Sequence, residues 1–173
     1  MKTLFNSGVA LLVLSSVLLF GACTSGNSLA QLQAKIDSLQ GQLTIKDQAT
    51  AQEAANKKLV TDFYQAVFGD KDVTAIDKYL AENYIQHNPV LGDGRETLKQ
   101  ALTAWYKGMP KEKIDIHHIA ADGDLVFIHT KSTENGKAVS IIDIFRIEHN
   151  QLVEHWDVIQ PVPDKSSNAH PMF

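Results

Sequence analysis

Asp143 sits inside "VSIIDIFRI" (residues 139–147), a run of strand-forming apolar residues with a single carboxylate near its middle. Burying a charge is costly unless it is paired. An acid held among apolar neighbours is suited to proton transfer, or to donating a hydrogen bond in its neutral form. The competing role is structural, an ionised Asp143 paired with a histidine or arginine at a subunit interface. Strand alternation places Ile141, Asp143, Phe145 and Ile147 on one face and Ser140, Ile142, Ile144 and Arg146 on the other.

Other side chains could serve such an acid. His129 lies on the preceding strand, "LVFIHTKS", joined to the next by an Asn-Gly hairpin signal. It is a catalytic candidate or a core histidine, and a one-residue change of register removes it from the site. His87 and Asn88 precede Pro89 at an expected pocket rim, where they could instead bond their own backbone as turn formers. Tyr64, Trp105, Phe145, Trp156 and Val158 are candidate pocket walls or donors, with helix core as the alternative for Tyr64 and Trp105. On the last strand Trp156 suits a cavity wall, leaving His155 and Asp157 as a polar interface pair; the reverse assignment is also open.

No metal or cofactor is expected. His117 and His118 are adjacent on a strand and point apart, helical two-histidine spacing is missing, and the single cysteine is not a ligand set. The sequence contains neither a phosphate-cradling glycine loop nor a serine-centred elbow. A net charge of -4 gives no electrostatic case for nucleic acid.

These residues need elements to position them. "AQEAANKKLVTDFYQAVF" carries Leu59, Val60, Phe63, Val67 and Phe68 on one helical stripe. A second short helix, "TAIDKYLAE", starts at a capping box formed by Thr74 and Asp77. "YIQHNPVLGDG" is a short extended piece and a loop. "RETLKQALTAWYKG" is a third helix with Leu98, Leu102, Trp105 and Tyr106 inward. After Pro110 the period alternates through four strands. The fold class is α+β: three N-terminal helices packed on a curved antiparallel four-strand meander.

The N-terminal 22 residues read as a signal peptide. "MK" precedes the apolar run "VALLVLSSVLLF", which is too short for a comfortable membrane span. "LFGAC" resembles a bacterial lipobox, which implies lipidation at Cys23 and a membrane-anchored protein of the cell envelope, at the outer membrane if the source is Gram-negative. Residues 23–50 read as a tether. Leu29, Leu32, Ile36, Leu39 and Leu43 repeat at heptad spacing, which fits either a short coiled coil or a helical spacer. Residues 51–163 form the domain. Residues 164–173 are a polar tail, either loose or laid over a pocket mouth.

"YIQHNP" and "IIDIFRI…LVEHWDVIQPVP" resemble the SnoaL-like group of the nuclear transport factor 2-like superfamily. The resemblance implies a cone enclosing an apolar cavity, a homodimer, and a small apolar ligand or substrate. It aligns Asp143 with an acid of ketosteroid isomerases, Tyr64 with their oxyanion-hole tyrosine, and Asn88 with their general base, which an amide cannot replace. SnoaL-like cyclases imply a metal-free aldol step by an aspartate with a nearby histidine, a pair that falls on Asp143 and His129.

Overall fold

The computed structural model describes residues 26–134 and 136–173. The signal peptide and Cys23 lie outside the described residues, as does Asn135 of the hairpin signal. The chain divides into a unit ending at Ile45 and a second, Lys46–Phe173.

The first unit is helical where it is described, as part of helix α1 (Gly26–Phe63). Its heptad apolar residues are exposed, from 42% at Ile36 to 60% at Leu43, so a single chain leaves the seam uncovered. No described helix is long and apolar enough to cross a membrane.

The second unit is built on the end of α1. Its apolar stripe buries Val60 and Phe63 completely. The helix then widens into a π-helical segment, Tyr64–Gly69, which buries Tyr64 and Val67. A 3-10 turn (Val73–Ala75), capped by the Asp72 side chain on the Thr74 N–H, leads into the short α2 (Ile76–Tyr79). The expected second helix thus stops at Tyr79, and the following residues extend into strand β1 (Leu80–Gln86). Helix α3 (Arg95–Trp105) buries Leu98 and Leu102 as its period requires. Trp105 corrects the expectation of an inward side chain: it is the last helical residue and half exposed, while Tyr106 packs against the core in its place.

Four strands follow: β2 (Asp115–Asp122), β3 (Leu125–Glu134), β4 (Lys137–Glu148) and β5 (Gln151–Pro161). They form the antiparallel meander expected, and β1 adds a fifth strand parallel to β5, giving the order β1-β5-β4-β3-β2. The β4–β5 turn places both His149 and Asn150 at positive φ, the twist that a two-residue hairpin loop needs. One sheet face packs on the helices: Val126, Ile128, Phe145, Ile147 and Leu152 meet Val60, Phe63 and Val67 in one core. The fold is α+β, with a curved, mainly antiparallel sheet closing over helices.

Candidate functional site

Asp143 faces the core with Phe145 and Ile147, the residues alternation grouped with it, and is 6% exposed. The π-helical segment aims Tyr64 at it, and the phenol O–H donates to Asp143 Oδ2. π-helical turns recur at functional sites because they redirect side chains within a helix. Burial, then the Asp143 charge, pushes the Tyr64 phenol well above its ordinary value, so it remains a donor. Burial, followed by Asp143 and Asp157, does the same to Tyr84.

The second partner of Asp143 is His155. Strand β5 pairs with β4 so that Phe145 opposes His155 and Asp143 opposes Asp157. His155 is 7% exposed, and its Nε2 lies 2.8 Å from Asp143 Oδ1. The imidazole is stacked between Phe145 (4.8 Å between centroids) and Tyr84 (6.3 Å). Its Nδ1 lies 2.8 Å from Gln86 Oε1. That oxygen also accepts the backbone N–H of Asn88, so it is an acceptor, and Nδ1 must carry a hydrogen. Between Nε2 and Oδ1 there is then room for one shared proton, and Tyr64 occupies the other carboxylate oxygen. Asp157 is half-buried and accepts from Asn88 Nδ2 at 2.5 Å. Asn88 Oδ1 in turn accepts from the Val90 N–H, which fixes the amide.

The site therefore joins Tyr64, Gln86, Asn88, Asp143, His155 and Asp157. Of the residues named from the sequence, Asp143, Tyr64, Asn88 and Phe145 come together. His129 does not join them: it opposes Ile142, one position away from the Ile128–Asp143 pair, and so points from the other face. There its Nε2 meets Ser140 Oγ at 2.8 Å, and its Nδ1 meets His118 Nδ1 at 3.1 Å. His87 also lies on the outer side, stacked on Trp156 at 4.7 Å, with its Nε2 2.9 Å from Glu154 Oε1. His87, and then Arg146, hold the Glu154 carboxyl below the usual range. Trp156 and Val158 pair with Ile144 and Ile142 on the outer face, so neither walls the interior; the reverse assignment is the observed one. Trp105 is exposed, away from this cluster.

His155, Gln86 and Asp157 were not chosen as site residues from the sequence. Parity alone contained the signal for two of them: His155 and Asp157 are two apart, so they share a face, and the β4–β5 register makes it that of Asp143. The Gln86 bond depends on the parallel β1–β5 pairing, which no local pattern announces.

The interior beside Asp143 is occupied by Tyr64, Tyr84, Phe145 and His155. Two open clefts lie elsewhere. One of about 560 Å³ is lined by Gln52, Asn56, Gly123 and His149. The other, of about 320 Å³, is formed by the tail between Val162 and Met172. The tail ends with Phe173 against His117 (5.2 Å) and beneath Lys131 (5.1 Å), on the side of His129 and not over Asp143.

Comparison with known proteins places this arrangement in context. The SnoaL-like domain family matches residues 60–155, more than half of the chain. No curated protein matches. Among solved structures, the chain is similar to a provisionally assigned polyketide cyclase from Acidithiobacillus ferrooxidans, with 22% identity and a TM-score of 0.52 over 61% of this chain and 87% of that one. It is also similar to TsrD from Streptomyces laurentii, with 22% identity and a TM-score of 0.52 over 61% and 88%. A third is an LEH-like epoxide hydrolase of M. tuberculosis, with 16% identity and a TM-score of 0.51 over 63% and 85%. At these identities the likeness establishes the fold.

Proposed function

The chain belongs to the SnoaL-like domain family, and from that premise we propose that it is an acid–base catalyst acting on a small carbonyl compound, by aldol cyclisation, isomerisation or dehydration. The carrying observation is the 2.8 Å contact between Asp143 Oδ1 and His155 Nε2, beside a tyrosine that stays a donor. Asp143 would move the proton, His155 Nε2 would hold it while Asp143 is ionised, and Tyr64, turning its single O–H from Asp143, would donate a hydrogen bond to an oxygen developing negative charge. The partner of Asp143 in this reading is His155 rather than His129.

The test is exchange of α-hydrogens in enolisable ketones in D₂O, followed by NMR, which needs only a base and a donor. Wild type is expected to accelerate exchange, and Asp143→Asn to lose about 10²- to 10⁴-fold. Equal exchange by the two proteins removes Asp143 from the mechanism.

The second reading is a lipid-anchored binding or dimeric interaction module at the cell envelope. It is favoured by an outer sheet face that leaves Phe127, Ile142 and Val158 between 37% and 66% exposed. Lipidation at Cys23 belongs to both readings. Cys23→Ser is expected to abolish incorporation of labelled fatty acid; retained labelling would exclude that anchor.

A further inference from the structure

Asp143, His155 and Asp157 also have the character of a ligand set. We propose that they bind one divalent first-row transition-metal ion. The inference uses the location of the proposed acid–base site but does not depend on turnover there.

Three observations carry it. The first is geometry. One imidazole nitrogen and two carboxylate oxygens lie within 4.8 Å of one another. Metal bonds of about 2.1 Å hold neighbouring ligand atoms about 3 Å apart, and His155 Nε2 and Asp143 Oδ1 already stand at 2.8 Å. Asp157, the half-buried member, completes the triangle within 4.8 Å while Asn88 holds its other side.

The second is charge. Asp143 and Asp157 are directly opposed across β4 and β5, an arrangement that repels when both are ionised. His155 can supply at most one positive charge. Among the described residues no lysine or arginine pairs with either acid. Arg146 is on the other sheet face, occupied by Glu148 and Glu154. With both acids ionised the cluster is left at −1 even when His155 is protonated, and a divalent cation bound by neutral His155 brings it to zero.

The third is orientation. Each ligand has an outer partner that fixes it: Gln86 accepts from His155 Nδ1, leaving Nε2 free to ligate; Tyr64 holds Asp143; Asn88 holds Asp157. Imidazole ligands commonly need such a carbonyl partner. The N,O,O donor set suits Mn²⁺, Fe²⁺, Co²⁺ or Zn²⁺ better than a thiophilic ion. The cross-strand pair His118 and His129 is a poorer site. Its nitrogens face each other at 3.1 Å with ring centroids 5.4 Å apart, which is the head-on geometry of a hydrogen bond.

The experiment is titration of the metal-free full chain with Mn²⁺ followed by electron paramagnetic resonance, and with Zn²⁺ by calorimetry. One ion per chain is expected. Asp157→Asn and His155→Gln should each weaken binding at least about 10-fold, as should the outer variant Gln86→Leu, which keeps all three ligands. Circular dichroism of each variant checks its folding, and Gln86→Leu decides the matter if His155→Gln does not fold. His118→Gln should bind as wild type. No binding to wild type, binding indifferent to Asp157 and Gln86, or binding lost with His118 each overturns the proposal. All three leave the ketone-exchange test of Asp143 untouched, so the two ideas fail separately.

Discussion

Replacing Tyr64 with Phe would leave Asp143 Oδ2 buried without its donor. The expected cost is about 1–3 kcal/mol, seen as a lower urea midpoint with an unchanged slope; an unchanged midpoint would mean that Tyr64 does not stabilise the acid. A second residue-scale expectation concerns His129. Burial first, then His118 and His117, hold its imidazole below the ordinary value. The folded state thus prefers neutral His129. Its contribution is fully present above the ordinary value of about 6.5 and is lost as pH falls through the lowered folded value. Thermal midpoints recorded between pH 7.5 and 5 should drop on acidification, and His129→Gln should flatten that slope. Alternation grouped Asp143 with Ile141, Phe145 and Ile147 but did not say which face of the sheet they occupy, because Ile142 and Ile144 make the other face apolar too. Nor did it name the partner of Asp143. His129 and His155 are both histidines on strands flanking β4, and only cross-strand register separates them.

At the scale of elements, the π-helical segment depends on close packing at its end. A Cβ on Gly69 would lie 2.8 Å from the Glu112 backbone oxygen and 2.3 Å from the Gln65 side chain. Gln65 can move, but the Glu112 backbone is tied to Gly69 by a hydrogen bond of 3.0 Å. Gly69→Ala should therefore cost about 1–3 kcal/mol, read as a lower thermal midpoint; a midpoint equal to wild type would show that the backbone yields. The helical stripe Val60, Phe63, Val67 was visible in the sequence because it follows the ordinary period. The widening at Tyr64 was not, since a π turn changes hydrogen bonding without changing composition. Likewise "YIQ" showed an extended piece, while its parallel partner, some seventy residues later, left no local mark.

At the scale of the whole molecule, the outer sheet face is a described surface that lacks a partner within the chain. Phe127, Ile142 and Val158 are exposed together with half-buried Ile144 and Trp156, and apolar faces of this kind are common association sites. If two copies pair there, the double variant Ile142→Lys and Val158→Lys should sediment as a monomer at concentrations where wild type is dimeric; a monomeric wild type would sink that idea. The helices-then-meander layout was legible from the change of period after Pro110. The closing of the sheet by β1 was not, and it has a consequence in time. Leu80 and Gln86 pair with Leu152 and His155, so the earliest strand waits for the last one. A growing chain emerging from the ribosome carries Tyr64, Gln86 and Asn88 long before His155 and Asp157 exist. Until β5 arrives the edge of β1 stays unpaired and Asp143 stays without its imidazole. Such distant pairing slows folding, and for this protein it means that the Asp143–His155 pair forms only when nearly the whole domain has been made.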